Sequence, residues 1–253
     1  TFEFYGTKQQ LLNKISSNIL DNNFSNSKTF YIGEYMIYVT SDIHGQYDSF
    51  EKLLEKINFN ENDTLYILGD IIDRGPQVIE IIRKVISTPN IVMILGNHED
   101  MFLNYYDSKD IGDRILWFRN GGNITYKALK SISEEEVNSI VKYFRSLPIE
   151  KNIEVCSNKY QLVHGAFVSD RKKEQLIDSA YRHRTIWGRI RVNDKGPEDR
   201  IVIFGHTPTG NYTGDFENQK IWKKNNLIGI DCGMAYGEIF PEYATLGCLC
   251  LDN

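Results

Sequence analysis

Thr64-Leu65-Tyr66-Ile67-Leu68-Gly69-Asp70-Ile71-Ile72-Asp73-Arg74-Gly75 is the stretch that decides the fold. Its first five residues form a short apolar run without polar alternation, the pattern of a strand buried on both faces. The run stops at a glycine and gives way at once to two aspartates and an arginine. Such a strand lies inside a sheet and opens at its carboxyl end into a polar cleft, which is where sites form in open α/β sheets.

Outward from this stretch the same grammar repeats. Met36-Ile37-Tyr38-Val39-Thr40 is followed by Ser41-Asp42-Ile43-His44-Gly45, and Ile91-Val92-Met93-Ile94-Leu95 by Gly96-Asn97-His98-Glu99. Helical spacing joins them, with Phe50, Leu53, Leu54 and Ile57 on one face, then Val78, Ile81, Ile82 and Val85. The alternation of strand and helix predicts an α/β fold. Residues 101–148 read as helical, with a helix start at Ser133 and an acidic first turn at Glu134-Glu135-Glu136. Strands resume at Tyr160-Gln161-Leu162-Val163, ending in His164-Gly165, and at Ile201-Val202-Ile203-Phe204, ending in Gly205-His206-Thr207. A last pair runs over 227–231 and 245–251. Residues 1–34 differ in texture: Asn and Ser are frequent, and Leu11, Leu12, Ile15, Ile19 and Leu20 recur at helical spacing. The expectation is an N-terminal helical extension over 1–34 and a catalytic domain over 35–253.

Four of the five histidines, His44, His98, His164 and His206, stand directly after apolar strands. Asp42, Asp70 and Asn97 share those strand ends. Imidazole suits zinc and iron, and carboxylates suit manganese and also bridge. The set therefore has the chemistry to hold two divalent cations, about 3.5–4 Å apart in hydrolytic pairs. Asp70, between the other ligand groups in chain order, is the candidate bridge.

The chain has 253 residues, 41% hydrophobic and 25% charged, with 29 Lys+Arg against 34 Asp+Glu and a formal net charge of −5. The length suits one large domain. The charge balance argues against general nucleic-acid or membrane-surface binding. No run reaches the roughly 20 apolar residues of a membrane span, and no signal-peptide pattern opens the sequence. Cys156, Cys232, Cys248 and Cys250 form no C-x-x-C pair and read as thiols in a reducing compartment. A cytoplasmic location is the expectation.

The motifs Asp42-Ile43-His44-Gly45, Gly69-Asp70-Ile71-Ile72-Asp73-Arg74-Gly75, Gly96-Asn97-His98-Glu99, His164-Gly165 and Gly205-His206-Thr207 resemble the calcineurin-like metallophosphoesterases. More narrowly they resemble the phosphoprotein phosphatase family in its bacterial and phage, lambda phosphatase-like branch. Trp117, Asn120-Gly121-Gly122 and Trp187-Gly188-Arg189 add to this pattern. The resemblance covers roughly residues 35 to 251. It implies a two-sheet β-sandwich flanked by helices, and two divalent metal ions, manganese first, with iron or zinc also compatible. It implies Asp42, His44 and Asp70 on one metal, and Asp70, Asn97, His164 and His206 on the other. His98 resembles the general acid, oriented by Asp73, and Arg74 and Arg189 the phosphate clamps, with Arg191 as a fallback. The implied reaction is phosphomonoester hydrolysis of phosphoserine and phosphothreonine in proteins, by direct attack of a hydroxide held by both metals.

Leu95 stands where these phosphatases usually carry Arg. Leu before Gly-Asn-His, and Arg74-Gly75-Pro76, resemble instead the symmetrical diadenosine tetraphosphate hydrolases. Those typically lack the aspartate that Asp73 supplies here, so phosphomonoester cleavage ranks first and dinucleotide hydrolysis second. Asp231 reads as a supporting residue, Cys232 as a buried thiol, Tyr236 as a packing residue, Trp117 and Trp187 as core or pocket wall, and His183 as part of a solvated basic face.

Overall fold

The three apolar runs that precede the first three motifs become adjacent parallel strands. The structure is a computed structural model and describes residues 2–5 and 35–252. Its first sheet holds β1 (Phe2–Tyr5), β2 (Ile37–Thr40), β3 (Thr64–Ile67), β4 (Ile91–Met93) and β10 (Leu246–Cys250), in the order β1-β10-β2-β3-β4. β2, β3 and β4 run parallel, while β10 lies antiparallel to β2. The second sheet holds β5 (Glu150–Val155), β6 (Asn158–Val163), β7 (Ile201–Phe204), β8 (Trp222–Lys224) and β9 (Leu227–Gly229), in the order β5-β6-β7-β9-β8. Its inner strands β6, β7 and β9 are parallel, and antiparallel strands border them on both sides.

Side-chain alternation explains the layering. On β2, Tyr38 joins a core shared with the helices, while Val39 faces the second sheet. On β3, Leu65 and Ile67 face the helices, and Leu68 turns inward. The inter-sheet core gathers Val39, Leu68, Ile94, Leu162, Ile203 and Leu249. Helix Tyr47–Lys56 buries Phe50, Leu53 and Leu54, and helix Val78–Ser87 buries Val78, Ile79, Ile81, Ile82 and Val85. On the far side of the second sheet Val163, Val202, Phe204, Trp222 and Leu227 form a third cluster. Two-faced burial is why these strands read as unbroken apolar runs. Each fully buried Leu, Ile or Phe contributes roughly 1.5–3 kcal/mol.

The expected two-sheet α/β sandwich is the observed architecture. The helix start at Ser133 is also present: its hydroxyl accepts from the Glu136 N–H at 3.2 Å, an N-cap for helix Glu134–Ser146. Three strands add to those expected. β5 is polar and largely solvent-facing, and β8 is a three-residue edge with two lysines, so neither shows an apolar run. β1 lies within the stretch expected to be helical and pairs parallel with β10, Phe2 against Leu246. Its aromatic residues suit a strand. The helix expected from Leu11 to Leu20 lies outside the described residues. Among the described residues no helix is long and apolar enough to cross a membrane.

Candidate active site

The carboxyl ends of β2, β3, β4, β6 and β7 deliver all five motifs to one edge. The loops after β2 and β3 interlock through backbone pairs: Asp42 N–H to Gly69 O, His44 N–H to Asp70 O at 3.0 Å, and Gly75 N–H to His44 O at 3.0 Å. Gly45 and Gly75 touch where the loops cross. A Cβ on Gly45 would sit 2.4 Å from the Gly75 oxygen, and one on Gly75 2.3 Å from the His44 oxygen. Asp42, His44, Asp70, Asp73, Arg74 and His206 all take positive φ, between 48° and 69°. Such backbone costs on the order of 1 kcal/mol or more per residue and concentrates where side chains must be aimed.

The aim is inward. Asp42, His44, Asp70, Arg74, Asn97, His98, Arg189 and His206 line one pocket of about 200 Å³, joined by Asn120, Trp187, Asp231 and Tyr236. Asp70 stands at its centre. Its Oδ2 lies 3.3 Å from His164 Nε2, 3.7 Å from His44 Nε2 and 3.8 Å from His98 Nε2. Two donor triads, His44–Asp70–His98 and Asp70–His164–His206, each fit within 4.8 Å and share Asp70. Asn97 Oδ1 lies 2.8 Å from both His164 Nε2 and His206 Nδ1, at the second triad. Asp42 lines the same pocket outside both triads. Its carboxylate accepts the His206 N–H at 3.0 and 3.2 Å and the Ser41 hydroxyl.

Backbone carbonyls fix the ring orientations. His44 Nδ1 donates to Ile72 O at 3.0 Å and His164 Nδ1 to Leu68 O at 2.6 Å, which leaves each Nε2 facing Asp70. His98 is different. Its Nδ1 is 2.6 Å from Asp73 Oδ2, and Asp73 also receives the Trp117 indole N–H at 2.9 Å and the Thr125 hydroxyl at 2.5 Å. Asp73 is fully buried behind the pocket. Arg74 Nη2 lies 3.2 Å from His98 Nε2, and Arg189 Nη1 donates to the Thr207 hydroxyl at 2.9 Å.

The buried charges are mutually dependent. Burial would raise Asp70, but the His164 and His98 imidazoles outweigh it and hold the carboxyl well below its usual range. Burial likewise opposes a charge on His164, yet Asp70 and then Asp42 carry it up to about 10. Burial and then His164 push His206 down to about 2; burial, His98 and Arg74 lower His44. Burial and the neighbouring Asp231 hold Asp42 well above the usual carboxylate range, and burial pushes Asp231 up to about 6. Crowded carboxyls and imidazoles, with His164 drawn toward its charged form by Asp70 and Asp42, are a donor set that divalent cations fit: a metal would bring positive charge where those carboxylates favour it.

Residues 35–233 match the calcineurin-like phosphoesterase family. The chain belongs to this family. Calcineurin-like phosphoesterases are dimetal-dependent, and the carboxylate, amide and imidazole donors gathered around Asp70 include this phosphoesterase's candidate ligands. The phosphoesterase is similar to serine/threonine-protein phosphatase 2 of Salmonella typhimurium, with 32% identity over 194 residues covering 72% of this chain and 84% of that protein. It is also similar to a symmetrical bis(5'-nucleosyl)-tetraphosphatase of Wigglesworthia glossinidia brevipalpis, with 28% identity over 191 residues covering 74% of this chain and 61% of that one. Its fold is similar to that of a protein serine/threonine phosphatase from Saccharomyces cerevisiae, with a TM-score of 0.52 at 20% identity, covering 80% of this chain and 68% of the other.

Several side chains have roles that the motifs did not announce. Glu99 is fully buried, and its carboxylate accepts the N–H groups of Asp70 and Ile71 at 2.9 Å and of Gly96 at 3.1 Å. Burial, and then the Asp70 charge, push it up to about 7. The signal was present: an acid three residues after a helix N-cap reaches back to the cap N–H. Asp100 accepts from Arg182 at 2.7 Å and from the Trp187 indole at 3.1 Å, which fixes the pocket wall. Thr125, far from Asp73 in sequence, gave no local signal. Leu95 is buried in the helix-side core and does not line the pocket. Arg191 is exposed and does not line it either. Asp231 supports the site, accepting from Gly233 N–H at 2.9 Å. Cys232 is buried outside the pocket lining.

Proposed function

We propose that this phosphoesterase hydrolyses phosphomonoesters, with phosphoserine and phosphothreonine in proteins as substrates. The Asp73–His98 pair carries this reading. An alkoxide is a poor leaving group and needs a proton as the bond to phosphorus breaks. An imidazole held by a carboxylate through Nδ1 presents a proton from Nε2. In a polyphosphate the departing group is itself a phosphate and has far less need of an acid.

Asp42, His44 and Asp70 would hold one cation, and Asp70, Asn97, His164 and His206 the other; nitrogen and oxygen donors of this kind suit manganese, iron or zinc. When bound, such a pair neutralises phosphoryl oxygens and lowers the pKa of an attacking water. Arg74 and Arg189 flank the pocket and offer planar guanidinium forks to the phosphoryl oxygens. A bound phosphoryl group would draw Arg74 away from His98 Nε2, and that nitrogen, once it has taken up a proton from solvent, would donate it to the leaving oxygen. Asp73, fixed by Trp117 and Thr125, keeps the ring in register.

A second reading, hydrolysis of symmetrical dinucleoside polyphosphates, is favoured by Leu95 before Gly96 and by the tetraphosphatase relative. A substrate panel with added manganese separates the two. The expected result is a higher kcat/KM on phosphoserine peptides than on diadenosine tetraphosphate; the reverse order overturns the proposal.

A further inference from the structure

Next to the catalytic pocket lies an apolar groove of about 270 Å³ lined by Phe216, Glu217, Gln219, Tyr236, Phe240 and Tyr243. Tyr236 lines both the groove and the catalytic pocket, so the two adjoin at that side chain. Phe216 is 50% exposed and Phe240 49%, and Ile239 beside them 68%. Solvent-facing aromatic and aliphatic side chains in one cluster mark a recognition surface.

The groove is built rather than accidental. Gln219, in its floor, is buried and accepts the Gly210 N–H at 3.1 Å. Its amide lies where a Cβ on Gly233 would stand, 2.1 Å away, and Gly233 at φ +82° opens the turn Met234–Tyr236. Asp231 holds the Gly233 N–H, and Gln46 from the first motif loop donates to Glu238 at 3.0 Å. The two segments that carry the aromatics are therefore tied to each other and to the metal-ligand loops.

Charge selects the occupant. Glu217 is the one charged residue of the lining, and Asp215, Glu238 and Glu242 stand in the adjoining segments 215–219 and 234–243, with exposed Lys220 just beyond Gln219. All four carboxylates are exposed. A groove with a carboxylate and no cation in its lining disfavours a polyphosphate chain and favours a cationic peptide.

We infer that the groove is a specificity subsite for the peptide flanking the phosphorylated residue, taking an aliphatic or aromatic side chain with a Lys or Arg beside it. The inference rests on the protein-phosphatase reading and names its substrate class. The test measures kcat/KM with manganese for wild type, Phe216→Ser, Phe240→Ser and Glu217→Lys. The substrates are a phosphoserine peptide with Leu and Lys near the phosphoserine, the same peptide with Ser for Leu, the same with Gln for Lys, p-nitrophenyl phosphate and diadenosine tetraphosphate. Each Phe variant is expected to lose about tenfold or more on the Leu peptide, the scale of one lost apolar contact. It should lose nothing further on the Ser peptide and keep its rate on p-nitrophenyl phosphate, which also reports that the variant is folded. Glu217→Lys should weaken the Lys peptide and spare its Gln form. Equal rates of wild type and both Phe variants on the Leu peptide overturn the subsite and leave the phosphatase reading standing. A loss confined to diadenosine tetraphosphate assigns the groove to a nucleobase and overturns it as a peptide site. A wild type that cleaves the dinucleotide and none of the peptides overturns the function itself.

Discussion

Asp73 and His98 stand 25 residues apart in sequence, and their side chains meet at 2.6 Å, Oδ2 to Nδ1. Asp73 has no exposed surface, and its other contacts come from the Trp117 indole and the Thr125 hydroxyl. A buried carboxylate with this donor set is held in place, and it holds the imidazole in turn. His98 is thereby fixed with Nε2 toward the pocket, beside Asp70 and Arg74.

His98→Ala should leave metal content near the wild-type value and slow phosphoserine-peptide turnover by about 10²–10⁴-fold, the usual contribution of a positioned acid. p-Nitrophenyl phosphate, with its better leaving group, should lose much less. Asp73→Asn should show the same pattern more weakly. Steady-state kinetics across leaving groups decide it: an equal loss on every ester removes the acid role from His98.

Asp70→Asn should weaken both metals together, because both proposed ligand sets include that one carboxylate. Metal analysis after dialysis is the measurement. Retention of one full equivalent would move the bridge to another residue.

Metal binding near pH 7.5 should release a proton from His164. The metal-free imidazole is pushed up to about 10, so it is charged at that pH, and a ligand nitrogen must be neutral. Calorimetric titration of manganese in buffers of different ionisation enthalpy should give buffer-dependent heats. The same shift affects stability. Its contribution is fully present below the ordinary value of 6.5 and is lost as pH rises through about 10. His164→Gln should therefore lessen the fall in melting temperature that the metal-free protein shows between pH 7 and 10.

Glu99→Ala should destabilise the protein by about 3 kcal/mol or more, since it strands buried N–H groups at roughly 1–3 kcal/mol each. Asp70 N and Ile71 N would lose their side-chain acceptor, so metal affinity should fall in parallel. Chemical denaturation and metal titration check the two effects. A stable variant with unchanged affinity would show that water replaces the carboxylate.

Where burial is two-faced, the strands were legible. Thr64–Ile67 and Ile91–Met93 carry unbroken apolar runs because helices cover one side and the second sheet the other. β5 and β8 were not legible: they sit on sheet borders, where solvent permits Glu and Lys. At the site, residues just past strand ends could be named in advance, because strand ends converge in such a sheet. Thr125 could not, since only the packing of helix Gly122–Leu129 brings its hydroxyl to Asp73.

Leu95 shows the limit of reading by position. In sequence it stands where a phosphate clamp is usual; in the fold its side chain belongs to the helix-side core. Likewise, chain order made Asp70 the candidate bridge, and only the fold brings its Oδ2 within 3.3–3.8 Å of three imidazoles.

The order and chemical type of the motifs are properties of the chain itself, and they determined the α/β class, the candidate metal donors and the phosphoesterase family they point to. Tertiary structure alone decided which imidazoles gather around Asp70, which histidine is tied to a carboxylate, and that an aromatic groove carrying Glu217 adjoins the pocket at Tyr236. The physical reason is range: periodicity and strand ends are local, whereas charge coupling, buried hydrogen bonds and surface adjacency arise between residues that only folding brings together.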